Sequence, residues 1–457
     1  MIRTLYHNLT GQWPTEMRQL TAAGSPRRYW RLTGPGLTCI GAEGPNIKEN
    51  QAFIYMSRHF ADKGLPVPQV LAVSDDSSCY LVTDLGDTSL WDCRDDVDLL
   101  KKAIAILPLF QTVGAEGFDY SRCYQSQRFD ASSVMLDLHY FKYTYLNVIG
   151  VSYDELRLEK EFQRLADMVG RLTYKEGGLM LRDFQSRNVM IVNGEPYVID
   201  FQGARQGPLV YDVASFCFQA KARFAPGLRD ELFNTYLDHL PLKVDRNAFT
   251  RHILEVALVR TLQVLGAYGL RGLVEGKPHF LTSIPMALDN LRQLMPVVRD
   301  SYLYYVLSEV VARPPYPIEP PFDGLTVRVG SFSYKKGLPL DPSGNGGGFV
   351  FDCRAMENPG RYPEYKTHTG RDPEVIEFLE AKGEIQPFLE SCYSLVDNAI
   401  ADYLRRGFTA LSVQFGCTGG QHRSVYSADH AARHIKERFP QVRVLLNHRE
   451  QHISETL

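Results

Sequence analysis

At 457 residues, 44% apolar and 23% charged, the chain has the makeup of a globular protein too long for one ordinary core, so two or three domains are expected. A formal net charge of −3 gives no bulk attraction to nucleic acid or an anionic membrane, and any anion site must be local. Eight scattered cysteines with no C-x-x-C pair argue against a zinc site and against a disulfide scaffold, and suit a reducing cytoplasm.

The opening MIRTLYHNLTGQWP lacks the charged-then-apolar run of a signal peptide. No run of about 18 consecutive apolar residues follows, so the sequence predicts a soluble cytoplasmic protein with no membrane partner. Gly24–Leu32 places small and turn-forming residues between two strand-like segments, as in a loop over nucleotide phosphates. Poor in glycine, it offers Arg27 and Arg28 as guanidinium donors to a nucleotide. Leu37–Gly41 reads as a strand, and Glu49–Lys63 as an amphipathic helix with Phe53, Met56 and Phe60 on one face. The strand carries no lysine for a phosphate clamp, and Lys48 and Glu49 come late to replace one. Val70–Val73 and Cys79–Val82 are short strands leading to an acidic turn at Asp84, where a nucleotide base would meet the backbone.

Residues 97 to about 178 have a helical pattern. Asp137–Tyr145 is rich in aromatics, which suits a sugar pocket and, more simply, core packing. The densest chemistry lies in Leu179–Asp212. Leu181-Arg182-Asp183 is followed by Asn188 at D-x-x-x-x-N spacing, then by two apolar runs around Asn193-Gly194, a hairpin signal, and then by Asp200-Phe201-Gln202-Gly203. A loop carboxylate before one strand can accept a hydroxyl proton. An amide and a second carboxylate beyond it can hold a divalent cation on nucleotide phosphates, as phosphoryl transfer requires. Asp183 is therefore the candidate base, and Asn188 and Asp200 the candidate Mg²⁺ ligands. Asp212 opens a helix and is expected to cap the catalytic loop. Helices continue to about Leu307.

Arg313–Pro321 is proline-rich, an extended spacer between two units. Beyond it, Thr326–Phe332, Phe349–Arg354, Leu411–Phe415 and Val442–Leu446 read as strands, with helices over Gly383–Arg406 and Val425–Phe439. The turn GCTGGQHRS between Leu411–Phe415 and the last helix is an anion site by simple physics: loop amides and a helix N-terminus converge with His422 and Arg423. Cys417 and Arg423 also stand at C-x5-R spacing, which leaves a thiolate phosphatase reading open.

RRYWRL, VPQVL, LRDFQSRNVM and VIDFQGARQGPLVYDVASF together resemble the aminoglycoside phosphotransferase-like kinases over residues 1 to about 310. L-R-D in place of H-x-D, and I-D-F-Q in place of D-F-G, resemble the AmgK group of anomeric kinases, which act on N-acetylmuramate and N-acetylglucosamine in cell-wall recycling. SFSYKKG, FDCR, NPGRY, HTG, GCTGGQHRS and NHRE resemble the C-terminal domain of the RNase adapter RapZ, a glucosamine-6-phosphate binder. That likeness implies that Thr418, Gly419, Gly420, His422, Arg423 and Ser424 surround a sugar phosphate, with Ser331, Lys335 and Arg361 as additions. The nucleotide-binding half of RapZ has no counterpart here, since G-x-x-x-x-G-K-[ST] is missing, so an RNA or RNase partner is not expected.

The expectation is an α+β two-lobed protein-kinase-like fold over 1–310, with its small lobe to about residue 88. A linker at 311–323 and a separate α/β domain over 324–457 follow. The implied function is ATP- and Mg²⁺-dependent phosphorylation of an amino sugar at its anomeric hydroxyl. Two alternatives are an aminoglycoside-type antibiotic kinase, and a regulatory sugar-phosphate-binding protein with an inactive kinase half.

Overall fold

The computed structural model describes residues 1–20, 27–312, 322–339 and 348–457. The chain divides into two compact units, Met1–Leu270 with Ser283–Pro315, and Arg271–Thr282 with Tyr316–Leu457. Most of the expected proline-rich spacer lies outside the described residues.

In the first unit, α1 (Ile2–Thr10) precedes β1 (Glu16–Leu20), β2 (Arg28–Gly34) and β3 (Leu37–Glu43). After these come α2 (Ile47–Asp62), β4 (Val70–Val73) and β5 (Cys79–Thr83). The strands form one antiparallel sheet in the order β1-β2-β3-β5-β4. Ile2 and Tyr6 of α1 are buried with Leu32, Cys39, Cys79 and Leu81 of the sheet. Asn46 caps α2 by accepting the Glu49 N–H at 3.3 Å, which places the Glu49 carboxylate in the favourable first turn. The expected apolar face of α2 is buried at Phe53, Met56 and Phe60.

The larger lobe begins with α3 (Val97–Gln111), α4 (Ala131–Phe141) and α5 (Glu155–Glu176). Next come β6 (Gly177–Met180), β7 (Val189–Val192), β8 (Glu195–Val198) and β9 (Arg205–Pro208). Helices α6 (Val210–Cys217), α7 (Pro226–His239) and α8 (Arg246–Tyr268) follow. After the short α9 (Pro278–Leu281), which groups with the second unit, come α10 (Ile284–Leu294) and α11 (Tyr302–Ala312). β7 and β8 form the expected hairpin, with Asn193 and Gly194 both at positive φ, 52° and 79°, as a two-residue turn of this twist requires. One helical stretch, Arg246–Val274, is long and apolar enough by length and composition to cross a membrane, although it contains no run of 18 consecutive apolar residues. Its apolarity has a packing reason: Phe249, Ile253, Val256, Leu258, Leu262 and Leu265 of α8 are buried in the lobe.

The second unit is an α/β sheet of β10 (Thr326–Ser333), β11 (Gly348–Asp352), β12 (Ala410–Cys417), β13 (Arg443–His448) and β14 (Ile453–Thr456). Its helices are α12 (Pro373–Ala381), α13 (Ile385–Arg406) and α14 (Arg423–Arg438). Strand order is β11-β12-β10-β13-β14. The first four strands run parallel and β14 antiparallel. Val327, Val329, Val413 and Phe415 pack with Val396 and Ile400 of α13 and Ile435 of α14. This parallel register brings Ser331–Gly337, Thr418–Ser424 and Asn447–Glu450 to the carboxyl ends of three adjacent strands, where open α/β sheets bind ligands.

Candidate active site

The Leu181–Asn188 loop of the first unit is held by one buried carboxylate. Asp212, in the first turn of α6, accepts the Leu181 N–H at 2.7 Å and the Arg182 N–H at 2.8 Å, which is the capping role expected of it. Burial pushes its carboxyl up to about 7, against the pull of those two amides. Arg182 has φ 73° and Asp200 has φ 62°, two non-glycine residues in the left-handed region flanking the same cleft. Such residues cost about 1–3 kcal/mol each and persist only where the surroundings hold them.

From that loop the predicted trio converges. Asn188 Nδ2 donates to the Asp183 carbonyl at 2.9 Å and to Asp200 Oδ2 at 3.3 Å. Phe201 locks the Asp200 turn to the small lobe by stacking on Phe53 at 5.0 Å and meeting Phe60 edge-on at 5.3 Å. Burial pushes the Asp200 carboxyl up, and the neighbouring Asp183 charge adds to the shift despite the Gln202 hydrogen bond. A buried carboxylate beside a second one, with an amide in reach, offers oxygen ligands that fit a divalent cation. Among the described residues no cluster of three or more His, Cys, Asp or Glu forms a metal cage. The remaining ligands would then be phosphate and water, as is usual for Mg²⁺.

Arg27, its side chain only 3% exposed, pairs with Glu49 of α2 at 3.0 Å and donates to the Tyr29 hydroxyl at 3.2 Å. Gln202, the residue inserted after Phe201, donates to Asp200 Oδ1 at 2.8 Å and to Glu49 Oε1 at 3.4 Å. Arg27, Glu49, Gln202, Asp200 and Asn188 therefore form one continuous polar chain across the lobes of this unit. Arg28 and Asp84 stand apart from it. Arg28 pairs with Glu43 across β2–β3, and Asp84 takes two hydrogen bonds from Arg31 at 2.5 and 2.9 Å.

On the other side of Asp183 lie three arginines to which the sequence assigned no role. Arg260 of α8 donates from Nη2 to Asp183 Oδ1 at 2.9 Å. Arg182 reaches Asp137 of α4 at 3.4 Å, and Arg187 lies exposed beside the cleft. Burial pushes Asp183 up, but the charges of Arg260, Arg182 and Arg187 outweigh it and hold the carboxyl below its usual range. In the aromatic stretch 137–145, Phe141 and Tyr145 are core residues, and Asp137 is the one turned to the site.

In the second unit, β12 ends on Cys417 and α14 starts at Arg423. Gly420 has φ 67°, and a Cβ there would lie 2.5 Å from the Glu450 side chain and 2.8 Å from the Ser333 nitrogen, so the turn requires glycine. Cys417 Sγ accepts the Gly420 N–H at 3.2 Å and lies 3.1 Å from Ser424 Oγ. Burial raises its thiol pKa, yet these and neighbouring amide hydrogen bonds bring it below the ordinary value. His422 and Arg423 point to main-chain carbonyls. His422 Nε2 is 2.8 Å from the Tyr365 carbonyl, and Arg423 Nη1 donates to Arg354 at 3.0 Å and Met356 at 2.6 Å. Ser331 is buried against His448 Nδ1 at 2.9 Å. Thr418, Gly419, Lys335 and Arg361 are exposed. Of the nine expected sugar-phosphate residues, then, Ser331, His422, Arg423 and Ser424 have side chains bonded within the unit, the Gly420 N–H is turned to Cys417 Sγ, and Thr418, Gly419, Lys335 and Arg361 are the exposed ones.

Residues 325–452 match the RapZ C-terminal domain. Over 136 residues the chain is 41% identical to a nucleotide-binding protein of Acidithiobacillus ferrooxidans, covering 30% of this chain and 43% of that one. Over 125 residues it is 41% identical to a nucleotide-binding protein of Nitrosomonas europaea, covering 27% and 41%. The chain thus spans less than half the length of these relatives. An ethanolamine kinase of Plasmodium vivax superposes with TM-score 0.48 at 13% identity, over 65% of this chain and 86% of that one. A thermostable mutant of aminoglycoside phosphotransferase APH(4)-Ia, in ternary complex with AMP-PNP and hygromycin B, gives 0.45 at 17%, over 66% and 98%. Residues 16–246, which hold the Asp183, Asn188 and Asp200 site, match the phosphotransferase enzyme family, and the chain belongs to that family.

Proposed function

We propose that the protein is an ATP-dependent kinase of an amino sugar of the N-acetylmuramate or N-acetylglucosamine type, acting at the anomeric hydroxyl in cell-wall sugar recycling. The observation that carries this reading is the polar chain from Arg27 through Glu49, Gln202, Asp200 and Asn188 to the Asp183 loop. It supplies a phosphate-facing cation, a metal-ligand pair and a base in one cleft. Arg182, Arg187 and Arg260 around Asp183 favour a neutral or acidic acceptor and disfavour an aminoglycoside polycation.

Asp183 Oδ2 receives the acceptor hydroxyl proton as the new O–P bond forms and the bond from the terminal phosphorus to its bridging oxygen breaks. Arg27 holds the nucleotide phosphates, with Glu49 fixing its guanidinium. Asn188 and Asp200 would hold Mg²⁺, whose part is to offset charge on the transferring group. The second unit binds an amino-sugar phosphate such as glucosamine-6-phosphate at the Thr418–Ser424 loop, where Thr418 and Gly419 are exposed.

The test is a screen of N-acetylmuramate, N-acetylglucosamine, glucosamine and an aminoglycoside with ATP and Mg²⁺, with the phosphate located by phosphorus–proton NMR coupling. Transfer to an aminoglycoside alone, or to a non-anomeric hydroxyl, defeats the proposal.

One observation favours a second activity in the C-terminal unit: a thiol held below its ordinary pKa by Gly420 and Ser424 at C-x5-R spacing. Phosphate release from a sugar phosphate that disappears in Cys417→Ser, with sugar-phosphate binding retained, is what that reading requires.

A further inference from the structure

Arg260 lies in the most apolar stretch of α8, between Val256-Ala257-Leu258-Val259 and Thr261-Leu262, all buried. A guanidinium 8% exposed in such a run is expensive unless it is paired, and an apolar residue of similar size would cost the fold less. Its donors show what it serves. Nη1 is spent on Gln263 of its own helix at 2.6 Å, and Nη2 on Asp183 Oδ1 at 2.9 Å. The Tyr211 ring, 5.7 Å from the guanidinium carbon, borders it. Asp183 belongs to a loop 77 positions earlier in the chain, so the pair is a tertiary device.

The consequence is an asymmetry in the carboxylate. Oδ1 is occupied by Arg260. Oδ2 has no hydrogen-bond donor among the described residues, and 36% of the Asp183 side chain is exposed. A carboxylate free to rotate would offer either oxygen over a range of directions. One oxygen pinned by a planar, charged donor leaves the other in a fixed direction, the kind of preorganisation that proximity catalysis depends on.

We infer that Arg260 is a positioning residue: resting on the kinase reading of Asp183, it holds one carboxylate oxygen so that the other alone faces the acceptor hydroxyl. Arg260 is buried and both its Nη donors are spent on Gln263 and Asp183, so its loss should appear in turnover and not in nucleotide affinity. Lysine keeps the charge but loses the planar fork, so Arg260→Lys should recover part of the rate.

The test uses the full chain and measures kcat and KM for the acceptor, ADP release to water, and the Kd of a fluorescent ATP analogue. Arg260→Gln is expected to lower kcat by about 30-fold or more, with nucleotide Kd within about twofold. Arg260→Lys should fall between, and guanidinium ion in solution should raise the rate of Arg260→Ala but not of Asp183→Asn. Turnover of Arg260→Gln within about threefold of wild type overturns the inference. So does a loss that neither lysine nor guanidinium relieves. If wild type phosphorylates no sugar yet releases ADP to water, the proposed acceptor is wrong, and the Arg260 comparison is read on hydrolysis. A wild type that does neither overturns both.

Discussion

Arg27, which directly precedes β2, forms a 3.0 Å ion pair with Glu49 in the first turn of α2, while β3, where a strand lysine was sought, carries none. The pair is well enclosed, with Arg27 3% and Glu49 18% exposed, so Glu49 is placed to fix the direction of the guanidinium. Glu49→Gln is expected to lower kcat/KM for ATP by about 10²-fold, mostly through nucleotide affinity, and Arg27→Lys to keep part of it. Fluorescent-nucleotide titration alongside turnover checks this. Unchanged affinity in Glu49→Gln would remove the pair from nucleotide binding.

Asp183→Asn separates chemistry from binding. The amide keeps the shape and can no longer take a proton, so turnover should fall by about 10³-fold or more while nucleotide still binds. Turnover at a tenth of wild type would exclude Asp183 as the base.

Asp212 carries a structural prediction. Its two oxygens serve the Leu181 and Arg182 amides, and it has no exposed surface. Asp212→Ala leaves both donors unpaired and should cost about 2–4 kcal/mol of stability. The denaturant midpoint reads it. Asp212→Asn, able to accept but presenting its NH₂ to one of the two donors, should lose less.

In the second unit, burial raises the Asp429 carboxyl, but hydrogen bonds and charge from His448 and Arg371 prevail and hold it at about 2. A folded pKa below the unfolded value of about 3.9 contributes stability that is complete above pH 4 and lost as pH falls through 2. The loss is of order 2–3 kcal/mol for a side chain only 6% exposed. The protection factors of the β10 and α14 amides, exchange rates corrected for intrinsic pH dependence, should therefore fall between about pH 4 and 2 in wild type. Asp429→Asn should show weaker protection at neutral pH and a smaller response over that window.

What the sequence revealed follows from distance along the chain. The Asn193-Gly194 hairpin, the Asp183–Asn188 spacing and the Asp200 turn are local, and each residue's conformation follows from its neighbours. Arg27–Glu49, Gln202–Glu49 and Arg260–Asp183 join positions 22, 153 and 77 apart, so only the folded packing creates them. Arg260 left one trace, a lone charge in an apolar helical run, but such a residue is as readily a helix end or a surface position until its partner is known. Family likeness marked His422, Arg423, Ser424 and Ser331 as phosphate residues. Their side chains turn inward because a tight strand-to-helix turn must first satisfy its own donors and carboxyl-end carbonyls.

Gly420 tests whether that turn is a binding device or only a connection. At φ 67° a Cβ is strained, and here it would also run into the Ser333 nitrogen and the Glu450 side chain. Gly420→Ala must then shift the Cys417–Ser424 loop, breaking the Gly420 N–H to Cys417 Sγ hydrogen bond and turning the loop amides out of register. The sheet itself is anchored by Val327, Val413 and Phe415 and should survive, so circular dichroism should change little. Affinity for glucosamine-6-phosphate, measured by calorimetry, should fall by about tenfold or more. The kinase rate of the first unit at saturating ATP should be unaffected. Undiminished sugar-phosphate affinity in Gly420→Ala would mean that the ligand, if one binds, sits elsewhere on the carboxyl edge of the sheet.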